Sequence, residues 1–239
     1  MAKKRPAEPD ALTHLHYEMA AHAAMWRQSR AIYDELPQRA VQRKITTASL
    51  ELVRPHRSDF QVFDDILIQY QKPGTQDIWS VNSDDMVVLC DKDLGPLGSY
   101  DVPHQPARPF WVMRTLTNSG KRKGIDEAFQ KYERDLAVPY YLTFSPDEGS
   151  PTLYHLNGES HRYETVPPDG EGRCAVPEVN ISVGVMGGWV RFWFEGRLLM
   201  LPTELDRELG REKRRADDAI SRGERLAAQL RAMGVDPAA

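Results

Sequence analysis

Hydrophobic positions change their period twice between residues 110 and 145, and that stretch predicts the most clearly bounded unit of the chain. Residues 110–113, FWVM, form a continuous apolar run that Thr115, Leu116 and Thr117 extend as an alternation, the pattern of a strand buried on at least one face. Asn118, Ser119 and Gly120 break it. From Gly124 onward Ile125, Ala128, Phe129, Tyr132 and Leu136 recur at steps of three and four, which predicts a helix of about three turns with one apolar face. Pro139 ends it, because the residue before a proline is pushed out of the α region. Residues 140–144, YYLTF, supply a second strand, so the unit reads as a βαβ with Lys121, Arg122 and Lys123 at the turn into its helix.

The same reading extends along the chain. Between Asp10 and Leu36 the set Leu12, Leu15, Met19, Ala23, Trp26, Ile32 and Leu36 keeps helical spacing, with Asp10 placed to cap and Pro37 to stop it. Residues 38–57 read equally as helix or strand. Residues 60–70 alternate through Val62, Ile66 and Ile68 as a strand, and Lys72, Pro73 and Gly74 make a turn. Residues 91–109, rich in glycine and proline, read as a long irregular connection. Asn157 and Gly158 predict a two-residue hairpin within 152–163. Residues 179–185 and 189–194 form strands around Gly187 and Gly188, and Gly196 turns the chain into residues 198–201. Beyond Pro202 charged residues dominate a helix expected to start at Thr203 and close at Gly234, with a thin seam through Leu209, Ala216, Ala219, Leu226, Leu230 and Met233.

Composition narrows the class. The chain has 239 residues, 41% hydrophobic and 28% charged, enough for a substantial core. Three segments are expected: an N-terminal helical segment, 1–58, packed on the core; a core with a β-rich extension, 59–201; and a charged C-terminal helix, 202–239. A net charge of −4 gives no global attraction to nucleic acid, so such contact would need a local patch. Cys90 and Cys174 are far apart, without a CxxC pair, and read as free thiols. No apolar stretch of about 18 residues occurs, which predicts no membrane span and a cytoplasmic protein.

Chemistry concentrates at Asp84 and Asp85, two acids that stand before the apolar run 86–89, where a carboxylate at the mouth of a buried strand needs a reason. Either the pair ends a loop or it marks a site. His14, Glu18 and His22 share one helical face, read as a solvated face or as an acid able to assist a metal. Lys121, Arg122 and Lys123 beside a helix start suit a phosphate, or simply solvate the turn.

The segments SDDMVV (83–88), WVMRTLT (111–117), KYERDLAVPYYLTFSPD (131–147), PEVNISVGVMGGWVRFWFEGRLLMLPTEL (177–205) and GERLAAQLRAMGVDP (223–237) resemble a bacterial restriction-endonuclease-like family with a PD-(D/E)XK nuclease core. The resemblance implies an α/β fold with a mixed sheet, a β-rich extension and a C-terminal helix. It also implies a Mg²⁺-dependent site made of an Asp, a Glu on the next strand and a Lys on the following helix. Asp85 matches the Asp, and Asp84 stands where proline is usual. Arg114 occupies the Glu position, Gly124 that of another acid, and Ala128 that of the Lys. A guanidinium is always charged and would repel the ion, so the departures imply a vestigial site with no metal cofactor.

The sequence therefore points to a catalytically degenerate nuclease-like protein retained for binding nucleic acid through Lys121, Arg122 and Lys123, or for binding a protein. An active Mg²⁺-dependent DNA endonuclease with a rearranged site is the enzymatic alternative. A pure interaction module, pairing as a homodimer or with another protein through its C-terminal helix, is the third. If Arg114 faces Asp85, an ion pair is expected to replace the metal.

Overall fold

The structure, a computed structural model, describes residues 37–116 and 122–233, and of residues 122–125 only the backbone. The helix expected over 10–36, with His14, Glu18 and His22, lies outside the described residues, as do Lys121 and Gly234. Helix α1 spans Pro37–Leu50, β1 Phe60–Gln71, β2 Ile78–Leu89, β3 Ser99–Asp101 and β4 Pro109–Thr115. Helix α2 is Arg122–Gln130, followed by β5 Tyr140–Phe144, β6 Pro151–Leu156, β7 Tyr163–Thr165, β8 Cys174–Val176, β9 Ile181–Met186, β10 Trp189–Phe194 and β11 Arg197–Leu198. Helix α3 is Pro202–Ala232. The fold is α/β: a seven-stranded mixed sheet ordered β3-β1-β2-β4-β5-β6-β7, a second sheet ordered β11-β10-β9-β8, and the C-terminal helix.

The central βαβ follows from its sequence. β4 and β5 pair in parallel, Trp111 beside Tyr140 through Thr115 beside Phe144, with α2 as the crossover. Their continuous apolar runs reflect a sheet covered on both faces. Trp111, Met113, Tyr140, Leu142 and Phe144 join one core with Leu50 of α1 and Val183, Val190 and Phe192 of the second sheet. Val112 and Tyr141 join the other, with Ala128 and Tyr132 of the α2 side. Past Gln130 the helix widens into a π-turn, Lys131–Asp135, where the Leu136 N–H reaches the Lys131 carbonyl at 2.9 Å.

β1 and β2 depart from simple alternation. In β1, Phe63 and Ile66 pack on the α2-side core at a spacing of three, and the residue between that breaks the period is Asp65, with φ of 45°. An aspartate tolerates that left-handed conformation better than most residues. β2 makes the same switch, because its register with β1 is unbroken from Asp64 opposite Asp85 to Ile66 opposite Ser83. Both strands thus exchange their faces at one level of the sheet.

Several local expectations are corrected. Asp84 and Asp85 lie inside a strand of 12 residues, not at its mouth. The connection 91–109 contains β3, parallel to β1, and a single 3-10 turn, Val102–His104. The hairpin between β6 and β7 has a six-residue loop, 157–162, because Asn157 Oδ1 accepts the N–H groups of Glu159 (2.8 Å) and Ser160 (3.1 Å) and widens the turn. By contrast Gly187 and Gly188, at φ of 65° and 82°, do make a two-residue turn that only such backbones allow. α3 starts one residue before Thr203, with the Glu204 carboxylate accepting the Leu201 N–H at 2.8 Å.

One buried side chain ties α1 to the second sheet. Gln42, 3% exposed, donates to the Val190 carbonyl at 3.2 Å and accepts the Val190 N–H at 2.9 Å. Gln42→Ala would leave both backbone groups buried and unanswered, and is expected to cost about 2 to 4 kcal/mol in urea unfolding. A loss under about 0.5 kcal/mol would show that the contact is dispensable.

Candidate functional site

The site is created where two strands part. β2 pairs with β4 only as far as Asp85 opposite Met113. Beyond that level β2 continues with β1 to Ile78, while β4 continues with β5 to Thr115. Backbone groups that a continued ladder would have paired need other partners at this fork. Asp84 provides one: its Oδ2 accepts the Thr115 N–H at 2.6 Å, and its Oδ1 is ion-paired with the guanidinium of Arg39 from the first turn of α1. The Asp84 side chain is 2% exposed, and a carboxylate so far from water needs both.

Asp85 meets the same helix one turn or more farther along. Directly opposite Met113, it shares that residue's face toward α1, where Thr47 donates its hydroxyl to Asp85 Oδ1 at 3.1 Å. Burial, and after it the charge of Asp84, push the Asp85 carboxyl well above the usual carboxylate range, outweighing the Thr47 hydrogen bond and the Arg43 charge. Arg43 itself pairs with Asp65 at 3.5 Å. Arg39, Arg43 and Thr47 are four residues apart on one stripe of α1, and they meet Asp84, Asp65 and Asp85 in turn.

Arg114 occupies the opposite side of the sheet from Asp85. Met113 belongs to the α1-side core and Val112 to the α2-side core, so alternation along β4 turns Arg114 toward α2. There its charge acts on the phenols of Tyr132 and Tyr141, although burial is the larger influence and holds both above their ordinary value. Arg114 Nε and the Tyr141 hydroxyl are buried without a hydrogen-bond partner among the described residues. Arg114 also heads a polar row across the sheet, beside Thr143 on β5 and then Thr152 on β6. This row lies at the C-terminal ends of the parallel pair β4 and β5, the usual place for a ligand crevice in an α/β sheet.

The expected Asp85–Arg114 ion pair is therefore not formed, because the two side chains leave opposite faces of the sheet. Arg39 supplies the cation and Asp84 the carboxylate instead. Ala128, 4% exposed, is packed in the α2-side core and brings no charge to the fork. Arg122, Lys123 and Gly124 lie in the first turn of α2. Sequence reasoning missed Arg39, Arg43 and Thr47, which sit in the segment of ambiguous period. It also passed over the pair Asp64 and Asp65, whose interruption of an apolar alternation was the available signal.

Mg²⁺ demands several oxygen ligands in near-octahedral array. Here Asp84 is engaged by Arg39 and the Thr115 N–H, Asp85 faces α1, and Asp65 is paired with Arg43. Among the described residues no three His, Cys, Asp or Glu side chains converge as metal ligands. The donor set at the fork does not fit the ion. Two larger hollows lie elsewhere: one of about 410 Å³ beside Gln61, Phe63 and Asp64, and one of about 420 Å³ beside Glu133, Arg134 and Arg162. In the second, the buried Glu133 accepts the Tyr163 N–H and an Arg162 N–H, both at 2.9 Å.

No family model matches the sequence, and no curated protein matches it. Among solved structures, the crystal structure of a candidate nuclease belonging to DUF820 from Anabaena variabilis is similar at a TM-score of 0.39 and 15% identity, over 57% of this chain and 72% of that chain. No helix among the described residues is long and apolar enough to cross a membrane.

Two substitutions test this geometry. Arg39→Ala strands the buried Asp84 with a single N–H donor and is expected to cost about 3 kcal/mol, with the double change Arg39→Ala, Asp84→Asn costing less than the sum of its parts. Additive costs in denaturant melts would show that the two do not interact. Asp85 has a folded pKa above its ordinary 3.8, so its contribution to stability is complete below about that pH and is lost as pH rises through the raised value. Asp85→Asn removes this titration, and its stability relative to the parent should improve steadily with pH; a difference that stays constant across the series would contradict the assignment.

Proposed function

We propose that this protein is a nuclease-like α/β protein whose cleavage centre has become a cationic binding site, one that holds nucleic acid by its phosphates without hydrolysing it. The observation that supports this best is the charge at the fork. The buried carboxylate Asp84 is neutralised by Arg39 of the same chain, and the position that the family resemblance assigns to a metal-binding acid is Arg114, with an Nε–H that finds no acceptor among the described residues. A guanidinium offers a phosphate two parallel hydrogen bonds, yet it can neither lower the pKa of a bound water as a divalent ion does nor accept that water's proton. The arrangement favours binding over chemistry.

Neighbouring groups extend the same chemistry. Arg122 and Lys123 stand in the first turn of α2, where a helix N-terminus favours anions. With a net charge of −4 the molecule as a whole repels a polyanion, so binding rests on this local set and weakens with salt. The competing reading, a Mg²⁺-dependent endonuclease with a rearranged acidic site, draws on Asp64 and Asp65 of β1 lying at the same level of the sheet as Asp84 and Asp85 of β2.

Fluorescence anisotropy with a labelled DNA duplex and a labelled RNA stem, read across a salt series, is expected to show salt-sensitive binding. Arg114→Gln should weaken it about tenfold or more while leaving the fold intact. Supercoiled plasmid incubated with Mg²⁺ or Mn²⁺ should remain uncut. Chelator-sensitive cleavage that disappears in a folded Asp84→Asn or Asp85→Asn variant would overturn the proposal in favour of the active enzyme. Absence of binding to either nucleic acid would leave the fork without this function.

A further inference from the structure

Helix α3 has 31 residues and none of them is buried. Apart from Ile220 in the middle, 60% exposed, its large apolar residues are set at two ends: Leu205 and Leu209 are 44% and 71% exposed, Leu226 and Met233 are 59% and 70% exposed, and Leu230 stands between the last two. Starting from Leu205 and stepping by four and three in turn, these two end groups fall on a single line, which is the spacing of a two-stranded coiled coil, and Ile220 flanks it one position after Ala219. The same line passes through Glu212, Ala216, Ala219 and Gly223 in the middle of the helix. Read alone, that middle is a fault in the seam.

Read against a second copy running the opposite way, the faults match. With Ala216 placed against the partner's Ala219, Leu209 meets the partner's Leu226 and Leu205 meets the partner's Leu230. Glu212 then meets the partner's Gly223. Leucine layers face leucine, alanine faces alanine, and each pairing recurs with the roles exchanged, as a two-fold interface requires. Gly223 gains a reason for being there. A Cβ at Gly223 would stand in open space, so no packing among the described residues calls for a residue that weakens a helix interior. Across the pair it leaves room for the stem of the partner's Glu212, whose carboxylate is already held by Arg215 at 2.6 Å.

Charge selects the same orientation. Between residues 204 and 212 the carboxylates Glu204, Asp206, Glu208 and Glu212 outnumber Arg207 and Arg211. Between residues 222 and 231 Arg222, Arg225 and Arg231 outnumber Glu224. An antiparallel pair sets each acidic end against a basic one and aligns the helix dipoles favourably, whereas a parallel pair sets like against like. We propose that α3 pairs antiparallel with α3 of a second copy of this chain, making the protein a two-fold homodimer through a short coiled coil. The pairing is independent of the nucleic-acid reading.

The test uses the full-length chain. Sedimentation equilibrium from micromolar concentration upward is expected to give a reversible dimer, and Leu209→Asp or Leu226→Asp should each raise its dissociation constant about 100-fold or more without changing the melting of the rest of the chain. Orientation is read by oxidising a mixture of Leu209→Cys and Leu226→Cys proteins and identifying linked peptides by mass. The proposal expects the mixed 209–226 disulfide to dominate. A chain that stays monomeric throughout the concentration range would overturn the proposal, and so would homodisulfides of the 209–209 type, which a parallel pair produces.

Discussion

A carboxylate removed from water must be met by a cation or by several donors, and at the fork between β2 and β4 this requirement organises much of the molecule. Asp84 takes over the hydrogen bond that β4 loses when β2 leaves it, which buries the acid and calls for Arg39. Arg39 can answer only if α1 lies across the sheet at one height and rotation. The stripe of Arg39, Arg43 and Thr47 fixes that rotation against the strands, while Gln42 on the neighbouring stripe fixes it against β10. The second sheet, the helix and the fork are thus positioned by one set of polar contacts laid over an apolar core.

Polar contacts of this kind seldom add much net stability, but they penalise misplacement heavily. A core of Leu50, Trp111, Leu142 and Phe192 would accept several packings of α1 at similar energy. A buried Asp84 accepts only the one that delivers a guanidinium. The Asp84 carboxylate is here committed to architecture, engaged by Arg39 and by the Thr115 N–H.

How much of this was legible follows from what carries the information. β4, α2 and β5 could be read directly because both periods are written in large apolar residues and bounded by Gly120 and Pro139. The hairpin at Gly187 and Gly188 was legible because few other residues suit its backbone. α1 was not, since ITTASLELV mixes β-branched residues with helix formers and the outcome is decided by tertiary contacts of Gln42 and Arg39. The resemblance pointed to Asp85, whereas the carboxylate that bonds Arg39 and the Thr115 N–H is its neighbour Asp84. Resemblance along a strand gives positions but not faces, and a strand that switches faces at Asp84 defeats any count that assumes alternation.

That switch has its own consequence. Asp65 works like a frameshift in the side-chain alternation of β1, and β2 carries a compensating shift at the same level, so the two strands stay in phase with each other while both fall out of phase with their own beginnings. Deleting the extra step from one strand alone would turn Ile66, Ile68 and Tyr70 toward the wrong core, or leave Val81 facing a polar neighbour, although every residue type remained suited to a strand. The pair can only be gained or lost together. Variation at this level of the sheet is therefore confined to coupled changes in two segments that lie far apart in the chain.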